Sequence, residues 1–501
     1  MQQFLATLVL LCGVALTLSE HPVTSFVRHI SGKNPNQAIT DDDIIRTFAI
    51  ELHPKYFPAV KQRFGSIPLE WYRRRTTSNA RQEGDLTETP SQVHVTVTTD
   101  TTQLTALWAT SFLSTSAAAC WWPEGKREDQ MCVNGTSWTY DPISILPWIG
   151  TLHGVTLTGL VPSATYCYIV GNPLFPTTSI FWTNASTCFA APNLYGTDTI
   201  TVALGGDMGS IQLFGFLVAN RMYQDSLTTN FDAFWLLGDI AYSTLDPPKL
   251  NFEFFWDIFM DQEAPLVNHV PLMVTFGNHD FSGGDSGAYV NRFRNPQGGQ
   301  GNGNFYWSYT HGPVFFVSMC TEIALNPKEC TYAPGTAQYL WLEQQLASIN
   351  RTKTPWLVLG GHRPMYSSDK STDSGPLQHD IEPLLKKYQV DVELSGHMHV
   401  TEVIAPVFNN TPYMSGVEQI SPNSWLFSSP QAPVHFTVGN LGAMIADEFV
   451  DPQPPWSLFR SGTLFDNAYG YTRLVANRTA LHFTMVKQSD GSTMWDVMIT
   501  K

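Results

Sequence analysis

Charge is the scarcest ingredient of this 501-residue chain. Only 14% of its residues are Asp, Glu, Lys or Arg, and the basic side is the poorer, 28 residues against 43 acidic ones. A formal charge of −15 leaves no basic excess to neutralise a phosphodiester backbone, so nucleic-acid binding is excluded as the expected role. Cysteine is also sparse, seven in all, and none forms a C-x-x-C pair, which argues against a thiolate metal site. No internal repeat or low-complexity tract is present, and no apolar run reaches the roughly 20 residues that a membrane span needs. What is abundant is apolar: 43% hydrophobic and 13% aromatic residues describe a globular chain, long enough for two or three domains.

Phe4 to Leu18 is a short apolar stretch followed by small and polar residues, the pattern of an export signal over residues 1–19. Cys12 would leave with it. Cys120, Cys132, Cys167, Cys188, Cys320 and Cys330 remain, and six cysteines allow fifteen pairings. Proximity in sequence favours 120–132, 167–188 and 320–330. Sequons at Asn134, Asn184, Asn350, Asn409 and Asn477 fit glycosylation on the same route. The expectation is a secreted glycoprotein, or one of a lysosome-like or vacuolar compartment, with disulfide bonds and no membrane span.

Residues 20–90 are charge-rich but balanced, and read as an N-terminal extension of unknown role, with Arg73-Arg74-Arg75 on a solvated face. Between 91 and 192 the pattern alternates with period two, as in Val93–Thr98, Thr105–Thr110, Tyr166–Val170 and Ile180–Trp182. Turn-forming Gly, Pro and Asn separate these runs, which predicts an all-β sandwich. His94 and Trp108 belong to its core or to a domain interface. From 198 to 440 the rhythm becomes buried strand, motif, helix. The strands are Ile200–Leu204, Ala233–Leu237, Pro271–Phe276, Val314–Met319, Trp356–Leu359, Val390–Leu394 and Val434–Val438. Helical spacing covers 211–226, 336–350 and 377–388, and Phe252 to Phe259 form a packed helix face. This predicts an α/β domain, two packed sheets flanked by helices, with 441–501 completing it. His311 is expected to support a hairpin.

Five motifs follow five of those strands: Gly-Asp-Met-Gly (206–209), Gly-Asp-Ile-Ala-Tyr (238–242), Gly-Asn-His-Asp (277–280), Gly-Gly-His-Arg-Pro (360–364) and Gly-His-Met-His (396–399). In α/β sheets functional groups gather at the carboxyl ends of strands, so distant motifs can converge. They offer Asp207, Asp239, Tyr242, Asn278, His362, His397 and His399 as metal ligands, enough for two cations sharing one carboxylate. Gly-Asp-x-Gly alone reads more plainly as a turn, Gly-Asn-His-Asp reads equally as turn or ligand, and Gly-His-x-His after a strand leans to a ligand; the five together, in this order after strands, point to a site. Imidazole and amide oxygen suit zinc, manganese or ferrous iron, whereas a phenolate suits ferric iron.

With these residues the chain resembles a purple acid phosphatase of the large type, in the metallophosphoesterase superfamily. The resemblance runs from about Pro90 onward and includes Pro90 to His94, Tyr166 to Gly171 and the ending from Tyr469. It implies a fibronectin-III-like sandwich before the catalytic domain. It also implies Fe(III) held by Asp207, Tyr242 and His399, a divalent ion (Zn, Fe or Mn) held by Asn278, His362 and His397, and Asp239 between them. Gly209 stands where the general superfamily has a histidine, and Tyr242 replaces it. Hydroxide activated by the metals would attack the ester, with His279 aiding phosphate binding or leaving-group protonation. Arg363 and Tyr366 are candidates for the substrate pocket. Val400-Thr401-Glu402-Val403 departs from the family's usual continuation, and the loop after His362 lacks a histidine pair.

The reading is thus a hydrolase: an acid phosphatase acting on small phosphate monoesters, with a homodimer as an open arrangement. Two alternatives stand beside it. One is a phosphodiesterase or nucleotide pyrophosphatase on the same metals, the other a non-enzymatic binding protein with a vestigial site.

Overall fold

A computed structural model describes residues 89–501, except 112–113, 143–147, 149, 180, 193–198, 211–212, 246–249, 252, 282–283, 297–303, 373, 446–447 and 463–467. The predicted export signal, Cys12 and almost all of the 20–90 extension, including Arg73 to Arg75, lie outside the described residues.

The first unit is a sandwich of two four-stranded antiparallel sheets. Ser91–Val97, Leu104–Ser111, Gly150–Leu157 and Thr136–Trp138 form one. Met131–Asn134, Ala118–Pro123, Thr165–Gly171 and Thr187–Ala190 form the other. The period-two pattern sends Val95, Val97, Leu104, Ala106 and Trp108 inward, where they are buried with Trp121, Tyr168 and Val170. One expected strand differs. Trp182 makes only an isolated bridge to Gly171, because the ladder beside Thr165–Gly171 is taken by Thr187–Ala190 and fastened by Cys167–Cys188. The other disulfides are Cys120–Cys132, between two sandwich strands, and Cys320–Cys330.

The larger unit is four layers, with a pair of face-packed sheets inside and helices outside. One sheet has eight strands in the order Leu272–Val274, Ala233–Leu236, Thr199–Gly205, Gly470–Asn477, Ala480–Lys487, Thr493–Thr500, Ser424–Ser428 and Val417–Ser421. The other runs Trp307–His311, Val314–Ser318, Trp356–Gly360, Val392–Ser395, Val434–Val438, Thr401–Ile404 and Ser457–Ser461. Val202, Leu204, Trp235, Phe316, Val358, Leu394 and Phe436 fill the space between them. Helices Leu213–Ser226 and Phe254–Val267 cover the first sheet, the latter burying Phe255, Trp256 and Phe259. Ala337–Ala347, Gly375–Asp380 and Glu382–Lys387 cover the second. The single helix expected over 377–388 is two, since Pro383 lacks the N–H needed to continue the helix and opens a new one instead.

Sandwich and catalytic unit meet at Arg292, which is buried. Its Nη2 lies 3.1 Å from Glu253 Oε1, and its Nη1 lies 3.0 Å from Asp257 Oδ1 and 3.0 Å from the Gln92 side-chain oxygen of the sandwich. His94 faces the Arg292 carbonyl from the sandwich side at 3.2 Å. His153, inside the sandwich, is held between Thr110 and Ser137 hydroxyls, both at 2.8 Å, and stacks on Trp108. Burial pushes both imidazoles down to about 4. They are neutral in the fold, while the unfolded chain binds protons below about 6.5. Their contribution is therefore complete above that value and lost as pH falls towards 4. Relative to His153→Gln, the wild type should lose roughly 2–3 kcal/mol between pH 7 and pH 4, other titrations cancelling. Urea midpoints at the two pH values check this; a gap that stays constant contradicts it.

Candidate metal centre

Each of the seven predicted ligands sits just beyond the carboxyl end of a strand. Asp207 follows Thr199–Gly205, Asp239 and Tyr242 follow Ala233–Leu236, and Asn278 follows Leu272–Val274. His362 follows Trp356–Gly360, and His397 and His399 follow Val392–Ser395. The first three of these strands are parallel neighbours in one sheet and the last two in the other, so the turns meet at one end of the domain.

Four of the seven have left-handed backbone: Asp207 (φ 63°), Asp239 (52°), Tyr242 (50°) and His397 (67°). A non-glycine residue there costs about 1–3 kcal/mol and persists only where its surroundings enforce it. Here the turns brace one another. Asp207 N–H donates to Gly238 O at 3.1 Å, Met208 N–H to Asp239 O at 3.2 Å, and Gly396 N–H to His362 O at 3.0 Å. Two glycines are forced by this closeness. A Cβ on Gly277 would lie 2.4 Å from Asp239 Oδ1, and one on Gly396 would lie 2.5 Å from Asp207 Oδ2.

The side chains form two adjoining groups. In the first, Tyr242 hydroxyl donates to Asp207 Oδ1 at 3.1 Å, and His399 Nε2 lies 2.9 Å from that hydroxyl and 3.5 Å from the carboxylate. In the second, His362 Nε2 is 3.1 Å from Asn278 Oδ1 and 3.2 Å from Asp239 Oδ1. Ligand atoms of Asp239, His362 and His397 all fall within 4.8 Å of one another. The His397 N–H donates to Asp207 Oδ2 at 2.7 Å and ties the groups together. The buried carboxylates call for positive charge. Burial opposes an imidazolium at His362, yet Asp239 and Asp207 pull it up to about 10. Burial would also raise Asp239, but His362 and His279 hold its carboxyl well below the usual range. Burial, then Asp207 and Asp239, push the Tyr242 phenol well above its ordinary value, so only a strongly charged cation would make it a phenolate. His397, driven down to about 2 by burial and by His362 and Arg363, is a neutral imidazole with a lone pair to offer. A donor set of two carboxylates, three imidazoles, a phenol and an amide oxygen fits two cations, with Asp207, Tyr242 and His399 for one, Asn278, His362 and His397 for the other, and Asp239 shared.

His279 is half-buried beside the cluster. Its ring lies 4.4 Å from that of Tyr242, and its backbone N–H donates to Asp239 Oδ1 at 2.7 Å. Arg363 reaches His397, with Nη1 2.8 Å from Nε2. Tyr366 is a correction. It is 1% exposed, its hydroxyl is held by Glu382 and the Asn410 N–H, and its ring packs on His435 and Trp456. Six places after the His362 strand ends, the chain has turned inward, so Tyr366 anchors the core and lines no pocket. Glu402, where the sequence departs from the family pattern, is buried and accepts from Ser367, Ser368 and Ser457.

Supporting residues escaped the motif reading. Asp280, last of Gly-Asn-His-Asp, accepts the N–H groups of Gly277 (2.8 Å), Ile240 (2.9 Å) and Asp239 (3.1 Å). The carbonyls of Leu237 and Met444 orient the Nδ1 atoms of His362 and His399, each at 2.8 Å. Glu322 clamps Arg363. Only Asp280 had a signal, its place inside a motif.

Three family models match along the chain: the purple acid phosphatase N-terminal domain over 90–185, the calcineurin-like phosphoesterase over 200–401 and the iron/zinc purple acid phosphatase-like protein C over 432–496. Acid phosphatase type 7 of Danio rerio is 29% identical, covering 69% of this chain and 76% of its own. Its Mus musculus namesake is 28% identical, covering 82% and 91%. An Arabidopsis thaliana relative named "Probable inactive purple acid phosphatase 9" is 29% identical, and the match spans 59% of this chain and about half, 49%, of the relative. Among solved structures, a purple acid phosphatase isolated from yellow lupin (Lupinus luteus) seeds has the same fold, with a TM-score of 0.70 at 22% identity over 82% of this chain and 74% of that one. With sandwich, catalytic core and C-terminal strands all matched in order, the chain belongs to the purple acid phosphatase family of metallophosphoesterases.

Proposed function

We propose that this chain is an exported acid phosphatase that hydrolyses phosphate monoesters at a centre of one ferric and one divalent ion, the latter zinc, iron or manganese. The observation that carries the reading is the meeting of Tyr242, Asp207 and His399 beside Asp239, Asn278, His362 and His397. The cations, when bound, supply a water of lowered pKa and charge to offset that on the phosphoryl oxygens. The protein's share is position. Asp239, fixed by the His279 N–H, stands against His362, the His397 backbone N–H ties the two groups of ligands together through Asp207, and hydrogen bonds between the turns hold the ligands at the strand ends. The His279 imidazole would give the leaving-group oxygen its proton.

Three disulfides support an oxidising compartment, and Asn134, Asn184, Asn350 and Asn409 are exposed for glycosylation, Asn477 partly so. Among the described residues no helix is long and apolar enough to cross a membrane. The relative named inactive keeps a vestigial binding role in view, yet all seven ligands are present here.

Metal analysis, a visible spectrum and turnover of monoesters and diesters at pH 5 test the reading together. Expected are two metals per chain, a broad visible band from phenolate to ferric iron that Tyr242→Phe removes, and monoester turnover exceeding diester turnover. Fully loaded protein that is colourless and turns over no ester would overturn it; faster diester turnover would make it a phosphodiesterase.

A further inference from the structure

Among the described residues, Arg363 is the cation whose side chain reaches the ligand cluster, and its setting is built. Its Nε and Nη2 donate to one oxygen of Glu322, at 3.0 and 2.9 Å. Glu322 is itself 1% exposed, and its other oxygen accepts from the Thr321 hydroxyl at 3.0 Å. The Thr321 hydroxyl in turn accepts the backbone N–H of Arg363 at 3.0 Å. Thr321 and Glu322 directly follow Cys320, which is bonded to Cys330. Gln338 also grips Cys320, accepting its N–H at 2.7 Å and donating to its carbonyl at 3.0 Å. The carboxylate therefore has one place to be, and so does the guanidinium it holds.

The third nitrogen, Nη1, points away from Glu322 to within 2.8 Å of His397 Nε2. The side chain is still 32% exposed. A residue needed only to neutralise Glu322 would not require its free corner to be directed at a ligand imidazole. A fixed, permanently charged fork with open N–H groups beside the ligands is what an arriving phosphoryl group meets. A monoester presents three non-esterified oxygens and a diester two. Two cations and a guanidinium make three partners.

We propose that Arg363, positioned by Glu322, takes a terminal phosphoryl oxygen of the substrate and thereby favours monoesters over diesters. The assignment rests on the phosphatase reading above, and it deepens that reading by naming what sets the substrate class.

The test compares wild type, Arg363→Ala, Arg363→Lys and Glu322→Gln, all metal-loaded. For Arg363→Ala, kcat/KM for 4-nitrophenyl phosphate should fall and the inhibition constant of inorganic phosphate should rise, each roughly 30-fold, as expected of one lost charge-assisted hydrogen bond. Turnover of bis(4-nitrophenyl) phosphate should fall far less, while metal content and visible spectrum stay as in wild type. Arg363→Lys should recover part of the loss, and Glu322→Gln should show a smaller loss in the same sense, carried mainly by KM. Equal losses on both esters, or loss of metal, would make Arg363 a mere support of His397 and overturn the proposal. Should wild type hydrolyse neither ester, the phosphatase reading fails by itself. Calorimetric binding of inorganic phosphate to loaded wild type and Arg363→Ala then still decides, equal affinities overturning the role of Arg363.

Discussion

Asp239→Asn should lower kcat for phosphate esters by about 10³-fold or more, the loss expected when two cations lose the charge they share. Asp239 Oδ1 is the atom that faces His362 Nε2 and receives the His279 N–H, so it belongs to the centre of the cluster and not to one edge. Asparagine keeps the size and can still accept that N–H through its amide oxygen, so the turn survives. What disappears is a buried negative charge, the foremost of the three carboxylates, Asp239, Asp207 and Glu322, that act on His362. Metal content by mass spectrometry should fall together with turnover. Two tightly retained metals and activity within tenfold of wild type would show that Asp239 is not shared.

The largest loss of stability should come from Asp280→Ala, although Asp280 is not among the proposed ligands. Its buried carboxylate receives three backbone N–H groups from two different turns, those after Ala233–Leu236 and after Leu272–Val274. Alanine leaves all three donors without partners where water has little access. At about 1–3 kcal/mol for each stranded donor, the sum is roughly 3–6 kcal/mol even after partial relaxation. Because those turns carry Asp239 and Asn278, metal should be lost as well. A thermal midpoint and metal content measured on the same sample provide the check; a midpoint within a degree of wild type would mean the turns are held by something else.

Much of the centre could be read from residue order because its chemistry is local to short motifs. A glycine and a ligand after an apolar run specify a strand end, and strand ends of parallel sheets share one rim. Side-chain direction was harder. Arg363 and Tyr366 lie in the same motif-bearing loop, yet one reaches the ligands and the other enters the core, a choice made by turns whose partners are remote. Asp280 was visible as a letter and invisible as a clasp, since its partners belong partly to another loop. Non-local pairing was also out of reach. Nothing in a segment such as Gly470–Asn477 says that its neighbours are Thr199–Gly205 and Ala480–Lys487, because pairing among strands depends on the complete set. The division of 377–388 was a smaller miss, with Pro383 as its overlooked cue.

That same pairing has a bearing on biosynthesis. Thr199–Gly205, the strand that delivers Asp207, is flanked on one side by Gly470–Asn477, which leaves the ribosome long after it. Until then the early strand presents a row of free backbone groups with no neighbour on that flank, a state prone to wrong association. The nascent catalytic half stays open on that flank until the C-terminal strands emerge, and the turn bearing Asp207 receives the Ala443 N–H on its carbonyl only when residue 443 has been made.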